Sequence, residues 1–314
     1  MISPPARYLN PLTDFGFKKL FGTEPNKALL IDFLNALLPP HHQIQDLTYS
    51  PTEHLGTTEL NRKAIFDLYC HSPQGDRFIV ELQKAKQNFF KDRSIYYSSF
   101  PVQEQGQKGD WNFKLDPVYT IGILDFLFEE EQDCTDVIHI VQLKNQHCKV
   151  FYPKLTFIYI ELPKFNKSLD ELTTHTDKWL FLLKSLSELL DQPHNLQETI
   201  FTQLFAAAEL AQFDPLEQVA YRESLKHYWD LNNVVETAWE EGRAEGLAEG
   251  EARGRAEGLA AGEARGRAEG LAAGEARGRA EAVEAIRRSM AAAGFSAEDI
   301  ARAIGNPPPT DTPP

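Results

Sequence analysis

A glycine repeat near the C-terminus sets the strongest limit on what this chain can fold into. From residue 242 to residue 278 glycine occupies every fourth position, and the unit GRAEGLAxGEAR recurs three times with a period of twelve residues. A step of four residues over-rotates a helix by about 40°, so Leu247, Leu259 and Leu271 fan around the axis and form no lasting apolar seam. A hydrophobic core therefore has to come from the chain before this repeat.

The repeat itself has two structural interpretations. Each glycine costs about 1 kcal/mol against alanine inside a helix, so the set costs on the order of 10 kcal/mol. Charge pairs four residues apart, such as Glu251 with Arg255, return only about 0.2 to 0.5 kcal/mol each. We expect a frayed helix or a disordered spacer. The alternative is a glycine-faced helix that packs closely against a second copy of the chain and makes a homo-oligomer.

Hydrophobic periodicity divides the chain into four predicted parts. Residues 1–165 form a core in which helical spacing gives way to short β-type runs, and residues 166–238 are a helical extension packed on it. The repeat tail covers residues 239–281, and a helical hairpin with a proline-rich end covers residues 282–314. The predicted strands are residues 45–54, 63–70, 77–83, 118–126, 137–143 and 155–162, with helices before the first and near residues 86–100. This order indicates an α/β or α+β fold with a mixed sheet.

Composition narrows the classes of function. The formal charge of -14 argues against a large basic surface, so any nucleic acid has to be bound by a local patch. The three cysteines lack the spacing of a zinc or redox site, and no histidine pair has metal-hydrolase spacing. A glycine-rich phosphate loop, a signal peptide and a long apolar run are also missing, so we expect a reduced cytoplasmic protein without membrane contact.

The segment KAIFDLYCHSPQGDRFIVELQKAK, residues 63–86, carries the candidate chemistry. It reads as two strands joined by a turn at residues 72–76, with Glu81 and Gln83 on one face of the second strand. If the hairpin is symmetric about Gln74, Asp67 lies directly opposite Glu81. Like charges facing each other across a strand pair destabilise the pair.

A divalent cation would explain why two acids lie inside apolar strands. Burying an unpaired carboxylate costs several kcal/mol or neutralises the group. Carboxylate oxygens at a site that keeps several waters suit Mg²⁺ or Mn²⁺, and such a metal can polarise a phosphodiester and generate hydroxide from water. The alternative is an offset register, with Asp67 and Glu81 on a solvated sheet face. Spacing alone does not separate the two.

Five segments in this order resemble a known family. They are DFGFKKLFGTEPNKALLIDFLNALL, FDLYCHSPQGDRFIVELQ, RSIYYSS, PVYTIGILDF and IELPKF. The stretch of about 180 residues that holds them is similar to the Rpn family of recombination-promoting nucleases, also called putative transposases, within the PD-(D/E)XK superfamily. The resemblance implies a restriction-endonuclease-like core and a metal-dependent, largely sequence-independent DNA endonuclease associated with recombination in bacteria.

The resemblance also implies roles for individual residues. Asp67 and Glu81 would be the two metal-binding acids, and Gln83 would stand where the superfamily usually has lysine. Glutamine carries no charge to stabilise a transition state, so Lys63, on the face of Asp67, is a candidate substitute. Asp14 would correspond to an acid from the first helix, or else it is the N-cap of that helix.

A few cations and aromatic residues complete the candidate site. Lys84, Lys86 and Arg93 are candidate contacts to DNA phosphates, although Lys84 and Lys86 would lie on the face opposite to Asp67 if the strand continued. Phe89, Tyr96, Tyr97 and Phe100 form a helical stripe that is typical of core packing and less typical of base stacking. The leading hypothesis is a DNA endonuclease, and the alternative is a catalytically impaired protein on the same fold that acts as a binding or assembly module.

Overall fold

A computed structural model describes residues 6–40, 42–54, 64–85, 89–106, 111–128 and 134–305. The chain forms two units, Met1–Thr237 and Ala238–Pro314. The helices are α1 (Asp14–Phe21), α2 (Lys27–Leu37), α3 (Phe90–Glu104), α4 (His175–Ser185), α5 (Thr199–Ala208), α6 (Pro215–Ala292) and α7 (Ala297–Ala303). The strands are β1 (Thr48–Tyr49), β2 (Glu53–His54), β3 (Ala64–Ile65), β4 (Leu68–His71), β5 (Arg77–Gln83), β6 (Val118–Leu124), β7 (Ile138–Lys144) and β8 (Val150–Glu161).

The first unit is built on a six-stranded mixed sheet in the order β1-β4-β5-β6-β8-β7. Strands β5, β6 and β8 run parallel to one another, and the outer pairs β1 with β4, β4 with β5 and β7 with β8 are antiparallel. Helix α3 crosses from β5 to β6, as a parallel connection requires. The predicted mixed sheet is confirmed.

Helices on one face of this sheet enclose the main core. Trp179 of α4 is fully buried, and its ring lies 5.8 Å from that of Phe21, 5.6 Å from that of Phe33 and 5.3 Å from that of Phe201. Its indole N–H donates to Asp32 Oδ1 at 2.7 Å, which satisfies the polar edge of a buried ring. Helices α4 and α5 therefore share one core with α1 and α2.

Two predicted strands are shorter or more broken than expected. The run at residues 45–54 contains only β1 and β2, and the run at residues 63–70 is interrupted between β3 and β4 at Phe66 and Asp67. β2 pairs with β3 in a separate two-stranded sheet, whereas β4 pairs with β5. The interruption places Asp67 between two sheets, where its backbone is not committed to either ladder.

Within the second unit the glycine repeat is helical, which is one of the forms predicted for it. Leu247, Leu259 and Leu271 are 67%, 68% and 62% exposed on this helix. No described atom lies within 4 Å of a Cβ added at any glycine of the repeat. Helix α7 begins after its N-cap Ser296, whose Oγ accepts the Asp299 N–H at 3.2 Å. In the described part of the chain, no helix is both long and apolar enough to cross a membrane.

Candidate active site

The hairpin of β4 and β5 brings the two acids of the site together. Leu68 pairs with Val80 and Tyr69 with Ile79, which is the register symmetric about Gln74 that the sequence predicts. Asp67 lies one residue before β4, at the position that this register places opposite Glu81. The turn depends on Gly75, whose φ of +99 is costly for residues that carry a Cβ.

Hydrogen bonds link the two acids across the hairpin. The Asp67 N–H donates to Glu81 Oε1 at 3.3 Å, and the Leu82 N–H donates to Asp67 Oδ2 at 2.7 Å. Glu81 is 8% exposed, and Asp67 is partly exposed. The alternative of two acids on a solvated face with an offset register is therefore wrong. Each carboxylate accepts from the backbone of the other strand or its flank, so both are held at one place.

Burial and mutual repulsion make both carboxyls hard to ionise. Burial raises the pKa of Glu81, and the Asp67 carboxylate raises it further, although the Arg93 guanidinium opposes this. Burial also raises the pKa of Asp67, against the hydrogen bond from the Leu82 N–H. We assign the larger rise to Glu81 because it is the more buried of the two. In the metal-free protein, this pair therefore retains a proton more strongly than two separate carboxyls would.

The donor set of Asp67 and Glu81 fits a divalent cation of the Mg²⁺ type. A cation between the two carboxylates removes the repulsion by which Asp67 raises the pKa of Glu81. Mg²⁺ is commonly held by one or two carboxylates with water filling the other positions. Among the described residues, no group of three or more His, Cys, Asp or Glu side chains is arranged to hold a metal. Waters and backbone oxygens would therefore have to supply the remaining ligands.

Gln83 is the residue that the resemblance places at the position usually held by lysine. It is 8% exposed, its Nε2 donates to the Ala85 carbonyl at 3.0 Å, and its Oε1 accepts a hydrogen bond from Arg93 Nη2. Both ends of the amide are therefore engaged. The sequence makes Arg93 a candidate DNA contact, and nothing in it connects this residue with Gln83.

A cavity of about 880 Å³ opens beside the acid pair. The residues that line it include Asp14, Lys18, Asp67, Gln83, Lys84 and His227. The sequence prediction that Lys84 faces away from Asp67 is wrong, because β5 ends at Gln83 and the chain turns there. The cavity wall formed by α6, which contains His227, was not anticipated either, because nothing in its sequence connects it with a hairpin so much earlier in the chain.

Asp14 lies on the cavity wall at the first residue of α1. Thr13 is the N-cap of this helix, since its Oγ1 accepts the Gly16 N–H at 3.0 Å, so the alternative of Asp14 as N-cap is wrong. Asp14 forms an ion pair with Lys18 at 2.9 Å, and both side chains are about half exposed. The structure therefore brings Asp14 into the same cavity as Asp67. Lys63 and Lys86 lie outside the described residues.

The aromatic stripe on α3 divides between core and surface. Tyr97 and Phe100 pack against a small cluster of Phe66, Tyr69 and Ile79 on the sheet face that carries Glu81. By contrast, Tyr96 is 43% exposed, and Phe89, just before the helix, is 79% exposed. Core packing therefore accounts for half of the stripe.

Comparison with known proteins gives one match. A family model described as PD-(D/E)XK nuclease family transposase matches residues 11–238, which is more than half of the chain. The match contains the acid pair, Gln83, α3 and the cavity wall from α6. No curated protein and no solved structure matches the chain. The match confirms the resemblance to transposase-like PD-(D/E)XK nucleases that the sequence motifs indicate.

Proposed function

This chain belongs to the PD-(D/E)XK nuclease family transposases, and from that premise we propose that it is a divalent-metal-dependent DNA endonuclease of the bacterial cytoplasm. Its cleavage is largely independent of sequence and serves recombination or mobile elements. The observation that carries the proposal is the pair of acids, Asp67 and Glu81, held together by backbone hydrogen bonds, with Asp67 on the wall of a cavity large enough to admit a phosphodiester.

In this proposal Asp67 and Glu81 hold Mg²⁺ or Mn²⁺. When bound there, the ion polarises the phosphodiester and lowers the pKa of a coordinated water. The chain contributes the rest through positioning. The Leu82 N–H fixes Asp67, the Asp67 N–H fixes Glu81, and the ammonium groups of Lys18 and Lys84 in the cavity attract DNA phosphates.

Asp14 serves as a third carboxylate at the mouth of this site. It lines the cavity, and its charge raises the pKa of Asp67, so the two lie within electrostatic range. With a cation held by the pair, Asp14 would orient water in the cavity, because its half-exposed carboxylate lines the same cavity as Asp67. Asp14→Asn should therefore reduce cleavage less than Asp67→Asn does.

Two observations favour a second candidate, a binding or assembly module on the same fold that does not cleave. Gln83 brings no charge to the motif position, and the formal charge of the whole chain is -14. A protein of this kind would still bind DNA locally or join other chains, and would tolerate loss of either acid.

Nicking of supercoiled plasmid in Mg²⁺ or Mn²⁺ separates the two candidates. We expect the wild-type protein to nick, Asp67→Asn and Glu81→Gln to lose at least two orders of magnitude in rate, and Asp170→Asn, a change of the same kind at an exposed residue, to nick as the wild type does. Equal nicking by wild type and Asp67→Asn would remove the active-site assignment. DNA binding without nicking in either metal would establish the second candidate.

A further inference from the structure

Among the described residues, the positive charge in contact with Gln83 comes from the neighbouring helix α3. Arg93, in the first turns of α3, donates from Nη2 to Gln83 Oε1. Its guanidinium carbon lies 5.4 Å from the ring centroid of Phe90 and 5.6 Å from that of Tyr97. Two aromatic rings and an amide oxygen therefore fix the position of a half-buried cation, which loses little side-chain freedom when a substrate arrives.

Arg93 lies within electrostatic range of the acid pair. Its charge opposes the rise in the pKa of Glu81, and it also acts on the pKa of Tyr97, which the carboxylates of Glu81 and Asp67 raise in turn. The contact with Gln83, which shares a face of β5 with Glu81, therefore places Arg93 on the Glu81 side of the pair. An amide at position 83 leaves room for this arrangement, since a lysine there would place a second cation against Arg93.

We propose that Arg93 is the cation of this site, acting from behind Gln83 on the charge that develops at the acid pair, and that Gln83, which lines the cavity, is the positioning residue that holds its guanidinium there. The inference rests on the proposed nuclease function. The proposal also gives the glutamine a role. Its amide oxygen accepts a hydrogen bond from the guanidinium, whereas a lysine ammonium at this position could only donate. The positive charge is then supplied by α3 at Arg93, and position 83 of β5 carries none.

Lys84 is the competing cation. It lines the cavity with Asp67, and its ammonium lies 5.8 Å from the ring centroid of Tyr228. Burial lowers the pKa of Lys84, although Asp14 and Asp67 oppose this. The hydrogen bond to the Gln83 amide oxygen comes from Arg93, while the Lys84 ammonium lies over a tyrosine of α6, so the glutamine is explained by Arg93.

Relocating the charge tests the proposal. Single-turnover cleavage in Mg²⁺ and DNA affinity in Ca²⁺ would be measured for the wild type, Arg93→Gln, Arg93→Lys, the double variant Arg93→Gln with Gln83→Lys, and Lys84→Gln. We expect Arg93→Gln to cut at least 100-fold more slowly with DNA affinity changed less than about threefold, because a lost charge donor acts on the transition state. The cleavage rate of Arg93→Lys should lie between those of the wild type and Arg93→Gln. The double variant should cleave at least tenfold faster than Arg93→Gln.

Each contrary result identifies a different failure. Cleavage by Arg93→Gln at the wild-type rate, or a 100-fold loss in Lys84→Gln alone, would overturn the inference and leave the nuclease function standing. Loss of DNA affinity in proportion to rate would make Arg93 a binding residue. A double variant that melts like the wild type yet recovers nothing would make Arg93 a packing residue of α3. Absence of cleavage by the wild type itself would remove the proposed function and the inference with it.

Discussion

Replacing Glu81 by glutamine should stabilise the metal-free protein, and increasingly so as the pH rises. The folded protein raises the pKa of Glu81 from 4.5 to about 8, chiefly by burial and by the facing Asp67 carboxylate. A folded-state pKa above the unfolded value contributes stability that is fully present below the unfolded pKa and is lost as pH rises through the folded pKa. The wild type therefore loses stability between about pH 4.5 and pH 8 on account of this one group. The Glu81→Gln variant, which has no proton to lose at this position, would keep its stability across the same range.

The magnitude follows from the two pKa values. At pH 5 the Glu81 carboxyl is still protonated in the folded protein but has begun to ionise in the unfolded chain. The folded protein has then lost about 1 kcal/mol of stability. At pH 9 Glu81 ionises freely in the unfolded chain, but in the folded protein it ionises against its raised pKa. The loss of stability then reaches about 5 kcal/mol. Glutamine keeps an Oε1 that can accept the Asp67 N–H, so the substitution changes the charge and little else. We expect the stability gain of Glu81→Gln to grow by about 4 kcal/mol between pH 5 and pH 9.

Urea unfolding of metal-free wild type and Glu81→Gln at several pH values would measure this difference. The Asp67→Asn variant is the matched control, since it removes the facing charge and should bring the pKa of Glu81 down, shrinking the same effect. Saturating Mg²⁺ should reverse the order at pH 8 by stabilising the wild type alone, because the ion binds the carboxylate pair. A stability difference between wild type and Glu81→Gln that is the same at pH 5 and pH 9 would refute the reasoning.

Three further predictions concern the fold. Gly75→Ala should cost about 1 to 3 kcal/mol in urea unfolding, because φ is +99 and the added Cβ would lie 2.5 Å from Asp116 Oδ2; wild-type stability would contradict the strained turn. Asp177→Asn should lower the free energy of unfolding by about 2 kcal/mol at pH 7. Burial opposes ionisation of Asp177, but hydrogen bonds from Lys167 and from backbone N–H groups lower its pKa from 3.8 to about 2. Its contribution to stability is therefore present above pH 4 and is lost as the pH falls toward 2. An equal loss at pH 2 and pH 7 would contradict this. Gly258→Ala should stabilise the tail helix by about 1 kcal/mol in thermal melts followed by circular dichroism, since no described atom lies near the added Cβ; a decrease would indicate that the glycine faces pack together.

Features set by neighbours along the chain could be predicted from the sequence. The register of β4 and β5 follows from a five-residue turn and from the alternation of apolar side chains, so placing Asp67 opposite Glu81 needed no tertiary knowledge. The end of α1 follows from a glycine stop at Gly22, and the start of α7 from a serine cap. The angular spread of Leu247, Leu259 and Leu271 around the helix follows from the rotation per residue alone.

What completes the site was decided by tertiary packing. Arg93 meets Gln83 because α3 folds back over β5. Helix α6 closes the cavity through hydrogen bonds such as those of Tyr228 with Asp125 and of Ser224 with Phe15. These partners lie 103 and 209 positions apart in sequence. Periodicity and turn chemistry act over a few residues, so they determine which side chains share a face. Which faces meet depends on how several elements fill one core, and that information is spread over the whole unit, so no single segment contains it.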